Sequence, residues 1–468
     1  MNQKNTKIVC TLGPACEKAS MLEKMVKAGM NVARLNFSHG SYPEFAQLIK
    51  NVRAVSKKLK TPIAIMQDLQ GPKIRVGEMP EEGVMLKNGS TVTLTIKNIK
   101  GTDRTIPIQY KELYQDVKKN DRILLNDGMM ELHVLQIKNK DIICKVIIGG
   151  KLLSHKGINV PTASISAHPV TEKDKKDLIF GLKQNVDFVA MSFVKNAKNI
   201  RELREMIRKQ KGEAKIVAKI ERHEAVDNLE EIIRETDAVM VARGDLGVEI
   251  PPEQVPIIQK KMIHMANKHG KPVITATEML QSMIDNPRAT RAEVSDVANA
   301  ILDHTDAVML SNESAVGKFP VEAILTMSKV AQATEAEIKT HHEFLRQKLS
   351  NENQPLSYAT CEAAARLASE MNAKLIVAVT LSGFTAEHIA KHRSYIPLVV
   401  LTKNPKVLQQ MQLVWGVNHT FVAPIESKNY LNQIKKLLIK NKLAKTGDKV
   451  VVVSNASREE KLISTIIL

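Results

Sequence analysis

Short apolar runs separated by helix-length amphipathic segments set the rhythm of the first two thirds of the chain. The runs are KIVCTL (7–12), VARLNF (32–37), PIAIMQDL (62–69), VDFVAMSF (186–193), KIVAKIE (215–221), AVMVAR (238–243), PVITAT (272–277) and AVMLS (307–311). Segments 17–28, 44–59, 196–211, 224–235, 253–269 and 288–303 between them carry helical spacing. Strands this rich in Val and Ile, apolar without alternation, suit parallel strands covered on both faces. Eight such units predict a closed (β/α)8 TIM barrel rather than an open sheet.

One gap breaks the rhythm. About a hundred residues separate the third run from the fourth, and much of that stretch alternates apolar and polar positions around Asn-Gly and Asp-Gly turns, as in GVMLKNGSTVTLTIK and DRILLNDGMMELHVLQIK. That is hairpin grammar, and it predicts an all-β domain inserted where strand three ends. After a helix over 322–341, the polar stretch THHEFLRQKLSNENQP reads as a boundary. A smaller α/β unit follows, with strands at 374–380, 397–402, 418–422 and 449–454 and helices between them. The predicted division is a barrel over 1–70 and 161–342, an inserted β lid over 71–160, and a C-terminal three-layer α/β domain over 343–468.

Composition narrows the classes. A chain of 468 residues with 43% hydrophobic and 25% charged content is ordinary for a globular protein of two or three domains. No apolar run approaches a membrane span, and the N-terminus MNQKNTKIVCTLG enters a strand at once, without a signal-peptide core. The expectation is a cytoplasmic protein with no membrane partner. Cys10, Cys16, Cys144 and Cys361 are scattered without metal-like spacing, which fits free thiols in a reducing compartment. The net charge of +18 points to an anionic partner. Aromatics at 3% leave few stacking platforms for single strands, so small phosphorylated substrates fit better than nucleic acid.

In a barrel of this kind, chemistry gathers at the C-terminal strand ends. Read in order from the second strand, those ends carry Arg34 and Asn36, Asp68, Ser192, Lys219 and Glu221, Arg243 and Asp245, Thr277 and Glu278, then Ser311 and Glu313. Each group alone has an ordinary explanation: a surface ion pair, a turn, a cap. Their convergence on one axis is what a purely structural barrel top does not require. Glu221 and Asp245, on neighbouring strands, are hard oxygen ligands suited to Mg²⁺ or Mn²⁺. Arg34, Arg75 and Lys219 suit a phosphoryl group whose charge spreads in the transition state. Backbone N–H groups around Arg243, Gly244 and Asp245 can hold a carboxylate at a helix N-terminus. No Walker-type loop and no G-x-G-x-x-G is present.

The motifs NVARLNFSHG, DLQGPKIR, KGINVP, AKIERHEAV, MVARGDLGVEIP, TATEMLQSM, TRAEVSDVANAILD and VMLSNESAVGKFP, in this order, resemble those of the pyruvate kinase family. The resemblance runs from about residue 6 to 330 and is weaker beyond. It implies Mg²⁺- or Mn²⁺-dependent transfer of the phosphoryl group of phosphoenolpyruvate to ADP, giving ATP and pyruvate, in a homotetramer. It also implies roles. Glu221 and Asp245 bind the divalent metal; Lys219 neutralises the phosphoryl group and the enolate; Arg34 holds phosphoryl oxygens. Thr277 and the backbone of Ala242, Arg243, Gly244 and Asp245 place the substrate carboxylate, with Ser192 nearby. Ser311, with Glu313, lies on the proton route to the enolate. Asn36, Ser38 and Asp68 match monovalent-cation ligands; His39, Lys156 and Asn159 match nucleotide contacts, the last two from the lid. A barrel aldolase with a Glu/Asp metal pair is a rival reading, opposed by the insertion and KGINVP. A basic RNA-binding protein that keeps the fold is another, opposed by the intact Lys219, Glu221 and Asp245.

Three departures from the family pattern carry expectations. LSNESA stands where LSGETA is usual, so Asn312 replaces a glycine and Ser314 a threonine. Lys73 and Leu69 stand where K⁺-requiring relatives carry glutamate and threonine, which predicts that the ammonium replaces the ion and that K⁺ is not required. In the last domain, Thr380, Ser382, Gly383 and Thr385 precede a helix and form either a phosphate cradle or a plain cap. Phe384 stands where many relatives carry a cation, and SNASREEKLIST (454–465) lacks the glycine of relatives that respond to fructose 1,6-bisphosphate. The expected activator has a single phosphate, or there is none.

Overall fold

A computed structural model describes residues 4–340, 355–423, 429–455 and 461–468. The proposed boundary at 341–354 lies outside the described residues, as does 456–460 of the glycine-free segment.

Eight parallel strands close a barrel: Lys7–Thr11, Val32–Asn36, Ala64–Asp68, Phe188–Met191, Lys215–Ile220, Ala238–Ala242, Val273–Ala276 and Ala307–Leu310. Each lies inside or within a residue of a predicted run. Neighbours round the ring are neighbours in the chain, and the last strand pairs with the first through Lys7–Ala307 to Cys10–Leu310. The two-residue period of the strands sorts their side chains into two cores. Val9, Val32, Met66, Ala190, Val217, Met240, Ile274 and Met309 fill the interior. Ile8, Ala33, Ile65, Val189, Ile216, Val239 and Val308 face outward against the helices. A strand that inserts Val217 into the interior therefore also points Lys219 and Glu221 along the axis. By the same step Val32 leads to Arg34 and Asn36, Met66 to Asp68, and Met309 to Ser311. Leu69 falls on the other parity and packs in the helix-facing core.

The helices are fixed by local chemistry. Thr171 caps Glu172–Lys183 by accepting from Asp174 N, and Thr290 caps Arg291–Leu302 by accepting from Glu293 N.

The insertion has its own apolar cluster, running from Ile74 to Ile165, a few residues past the predicted boundary at 160. A six-stranded sheet is ordered Ile158–Asn159, Arg122–Leu125, Met130–Lys138, Asp141–Ile148, Thr91–Thr95 and Thr105–Pro107. The two chain passages into the lid pair with each other, Val76 N donating to Lys156 O (2.9 Å) and Ile158 N to Ile74 O (2.9 Å).

The C-terminal sheet has five strands, ordered Val417–Val422, Leu398–Thr402, Leu375–Val379, Lys449–Asn455 and Lys461–Ile467, with an apolar cluster on each face. The fifth strand, Lys461–Ile467, is absent from the four expected from the sequence. It pairs antiparallel with Lys449–Asn455, placing Ile466 in the core beside Val450 and Val452. Leu413 of this domain enters the barrel's interior cluster from below.

Candidate active site

The strand ends converge as their parity requires. Lys219 Nζ donates to Ser192 Oγ (2.7 Å) and lies 3.2 Å from Glu221 Oε2 and 3.5 Å from Asp68 Oδ1. Arg34 Nε donates to Asp68 Oδ2 (2.7 Å), and Arg34 Nη1 to Thr11 Oγ1 (2.8 Å). Five buried or half-buried groups thus share one chamber: Arg34, Asp68, Ser192, Lys219 and Glu221. Burial pushes against the charged form of Lys219, but Asp68, Glu221 and Asp245 outweigh it and hold the ammonium well above the usual lysine range. Burial likewise opposes the Asp68 carboxylate, and Lys219 and Arg34 reverse the balance, keeping it below its ordinary value.

Glu221 behaves differently. Burial, reinforced by Asp245 and Asp68, pushes its carboxyl up to about 7, against the pull of Lys219 and the Phe193 N–H. Oε1 accepts that N–H at 2.7 Å, while Oε2 is buried without a hydrogen bond. Asp245, in the first turn of Arg243–Glu249, is exposed beside it. A buried carboxylate oxygen that accepts no hydrogen bond and meets only the Lys219 ammonium among the described residues, beside a second, open carboxylate, is a donor set for a hard divalent cation.

On the adjoining strands, Gly244 N donates to Thr277 Oγ1 (2.7 Å), which donates to Ala276 O (2.6 Å). Thr277 and Glu278 both have left-handed backbones, at φ 71° and 54°. The Arg243 side chain turns to Asp296 rather than staying with its backbone at the mouth, at 2.7 Å from each oxygen. Glu313 is buried and accepts from Ser311 N (2.7 Å) and Leu280 N (3.1 Å). Ser314 Oγ donates to Thr11 O (2.8 Å), so the hydroxyl that replaces threonine remains in use. Asn312 opens the short helix Asn312–Ala315 and is not among the positive-φ residues, so nothing there needs the glycine usual in the family.

The remaining expected residues lie around this chamber rather than in it. Asn36 Oδ1 accepts from Ser38 N (3.2 Å), and His39 is exposed in the same turn. Gly71 turns the chain toward the lid at φ 68°, and a Cβ there would meet Phe193 Cδ2 at 2.6 Å. Lys73 follows it, exposed and without an ion pair among the described residues. The Arg75 guanidinium donates to His155 O (3.0 Å) in the lid. Lys156 is half-buried at the hinge, and Asn159 donates to Glu249 Oε1 (3.0 Å), tying lid to barrel. In the last domain Thr380 Oγ1 accepts from Gly383 N (3.0 Å), the turn cap. Ser382 is exposed, Thr385 is buried, and a Cβ on Gly383 would meet Met411 Cε at 2.3 Å.

Two contributors escaped the sequence reading. Thr11 ends the first strand, and the strand-end rule that selected the other seven would have found it. Asp296 lies within the motif TRAEVSDVANAILD but off the strand ends, and its partner stands 53 positions away in the chain, so the strand-end rule passed it over.

Residues 3–324 match the family described as "Pyruvate kinase, barrel domain", and residues 358–465 the one described as "Pyruvate kinase, alpha/beta domain". The chain is 44% identical over 454 residues to pyruvate kinase 2 of Synechocystis, covering 96% of this chain and 76% of that protein. It is 42% identical over 460 residues to a pyruvate kinase of Staphylococcus aureus, covering 98% and 78%. The solved structure of a pyruvate kinase from Cryptosporidium parvum superposes with a TM-score of 0.94 at 35% identity, covering 100% of this chain and 96% of that one.

Proposed function

The chain belongs to the pyruvate kinase family, and we propose that its barrel mouth carries out that family's reaction with the residues named above and without K⁺. The enzyme transfers the phosphoryl group of phosphoenolpyruvate to ADP, giving ATP and pyruvate. The observation that carries the site assignment is the Lys219 ammonium, held among Ser192, Asp68 and Glu221 at 2.7, 3.5 and 3.2 Å.

Glu221 and Asp245 would hold Mg²⁺ or Mn²⁺, which supplies charge neutralisation at substrate oxygens when bound. The chain's own groups do the rest. Lys219, kept protonated, stabilises charge on the phosphoryl oxygens as the bond from phosphorus to the enolpyruvate oxygen breaks and the bond to the ADP oxygen forms. Arg34 is fixed by Asp68 and Thr11 before substrate arrives, so it needs little reorganisation. Gly244 N–H and the Thr277 hydroxyl orient the substrate carboxylate, exchanging for it the contacts they make with each other and with Ala276 O. Ser311 is the chain's hydroxyl on the proton route to the enolate carbon; Glu313 positions it through the backbone. Closure of the lid brings Lys156, Asn159 and Arg75 over the nucleotide and excludes water.

The K⁺ reading rests on the segment DLQGPKIR. Leu69 faces the helices and offers no side-chain oxygen, and its carbonyl already accepts from Ser192 Oγ (2.8 Å). Asp68 already has two cationic partners in Arg34 and Lys219, and Lys73 adds a third positive charge to the same segment. A site with that balance attracts K⁺ weakly. A homotetramer in the cytoplasm, and an activator with one phosphate or none at the 380–385 turn, complete the proposal. No described helix is long and apolar enough to cross a membrane.

The test is the initial rate of pyruvate release from phosphoenolpyruvate and ADP with Mg²⁺, in buffers whose only monovalent cation is tetramethylammonium. Activity that survives there, and moves toward K⁺ dependence in Lys73→Glu, supports the reading. A collapse restored by KCl but not by matched ionic strength removes the K⁺ part. No release with both salts present removes the whole. Strong activation by fructose 1,6-bisphosphate at micromolar concentration would remove the effector part.

A further inference from the structure

We infer that Asp296, on the helix Arg291–Leu302 and outside the strand-end set, is a positioning residue for the substrate carboxylate, acting through Arg243 on the backbone of Thr277. The inference rests on the functional reading above.

It begins with a backbone anomaly. Thr277 has φ 71°, followed by Glu278 at 54°. A β-branched residue there is strained, because its Cβ crowds the neighbouring carbonyl, and such a conformation persists only where surrounding contacts over-determine it. The restraining contacts come from one guanidinium. Arg243 Nη2 donates to Thr277 O (2.7 Å), and Arg243 Nε to Ala276 O (3.2 Å). Both carbonyls on either side of the Thr277 nitrogen–carbon unit are therefore held.

The guanidinium is in turn held by Asp296, whose two oxygens accept from Nη1 and Nη2 at 2.7 Å each. This fork is the most directional ion pair available to side chains. Its anchor is rigid: the helix is capped by Thr290 and buries Val297, Ala300 and Ile301. The chain of restraint runs from this helix through Arg243 to the Thr277 peptide, and ends at the Thr277 hydroxyl on Gly244 N. Gly244 N–H and that hydroxyl are the groups assigned to the carboxylate. Met279 Sδ (2.8 Å) and Gln259 Oε1 (3.5 Å) also touch the guanidinium, but among the described residues Asp296 supplies its only counter-charge and its fork; without that carboxylate the guanidinium loosens, the 277 peptide relaxes toward ordinary φ, and the hydroxyl shifts. The Arg243 side chain thus has a different task from its own backbone, which the sequence reading had treated as one candidate.

The experiment compares wild type with Asp296→Asn, Arg243→Ala and the double variant. Initial rates are measured over phosphoenolpyruvate and ADP, with the product-inhibition constant of pyruvate and the melting temperature. Loss of a charge-assisted fork predicts a fall of about 10- to 100-fold in kcat/KM for phosphoenolpyruvate in Asp296→Asn. KM for phosphoenolpyruvate and the pyruvate inhibition constant rise together, and KM for ADP stays within about twofold. The double variant is no worse than Arg243→Ala, since Asp296 acts only through Arg243. An active wild type matched by Asp296→Asn would overturn the inference. So would equal loss toward both substrates with a lowered melting temperature, or additive effects in the double variant. A wild type that releases no pyruvate would remove the functional reading, and this inference with it.

Discussion

At the N-terminal mouth of the barrel, Lys406 Nζ meets Asn185 O (2.8 Å), Val186 O (2.7 Å) and Asp187 Oδ1 (2.9 Å). Arg393 forks onto Asp306 at 3.0 and 2.9 Å and also donates to Asn267 and His304 O. At the C-terminal mouth, Lys219 has one hydroxyl and two carboxylates, each of which keeps an oxygen without a hydrogen bond. The residue types are the same and the burial is similar. At the lower mouth the C-terminal domain closes over the charges, supplying Lys406, Arg393 and Leu413. At the upper mouth anions outnumber cations around Glu221; left-handed backbones occur at both ends, at Phe193, Thr277 and Glu278 above and at Asn185, His304 and Arg393 below, and so do not separate them. Charges covered by a second domain make a joint, while an excess of carboxylates at an uncovered barrel mouth leaves a place for a ligand.

The sharpest way to break this comparison is to remove one cation from each mouth. Lys219→Met is expected to lower kcat by about a thousandfold, because a preorganised charge at the transferring group is lost. It should leave the melting temperature within a few degrees of wild type, as read by a thermal unfolding scan. Arg393→Ala should do the reverse. Removing one partner of a buried fork costs about 3–5 kcal/mol of stability, because the Asp306 carboxylate is left buried with only the Val273 and Trp415 N–H groups donating to it among the described residues. Its kcat, measured well below the transition, should stay within about twofold of wild type. A Lys219→Met protein with full turnover, or an Arg393→Ala protein as stable as wild type, would show that the mouths do not divide in this way.

A smaller effect lies at the lower joint. His388 packs against the Phe384 ring and donates from Nδ1 to Phe384 O (2.9 Å), while Nε2 is buried without a partner. Burial, helped by Lys391, Lys271 and Lys215, lowers its pKa from 6.5 to about 4. Between these values the unfolded chain binds a proton that the folded chain does not, so stability falls as pH drops from 6.5 toward 4 and is unaffected above 6.5. The loss is about 3 kcal/mol. Melting temperatures of wild type and His388→Leu over that range should show a shallower acid slope in the variant; parallel slopes would contradict it.

At the upper mouth, Lys156→Ala should raise KM for ADP severalfold and leave KM for phosphoenolpyruvate nearly unchanged, because it removes a lid group and not a barrel group. Equal damage to both would count against its nucleotide role. The smallest effect is expected for Asn312→Gly. The position has no left-handed backbone, so restoring the family glycine should change kcat by less than about twofold and lower stability by up to about 1 kcal/mol.

Much of this was legible without coordinates, for a definite reason. The eight strands and their order followed from apolar runs, because a strand covered on both faces must be apolar throughout. Once the barrel is granted, the two-residue period places Arg34, Asp68, Ser192, Lys219 and Glu221 on one axis, and the structure puts them there. The rule was local, so a local sequence sufficed. Where it was applied unevenly, at Thr11, a contributor was missed although its signal was present. The strand Lys461–Ile467 was missed because its central polar residues, Ser464 and Thr465, obscure an edge strand whose apolar contribution to the core is mainly Ile466.

What the sequence determined by itself is therefore whatever depends on spacing along one element: the strands, the parity of their side chains, the caps and the turn at Gly71. What only the tertiary structure decided depends on contacts between distant segments. The sequence could not say that the Arg243 guanidinium turns to Asp296, that Glu221 keeps one oxygen without a hydrogen bond, or that Leu413 enters the barrel from the last domain. A charged side chain carries the same charge wherever it stands. Whether that charge is neutralised, strained or open depends on which groups lie within a few ångströms of it, and those are chosen by the packing of the whole chain.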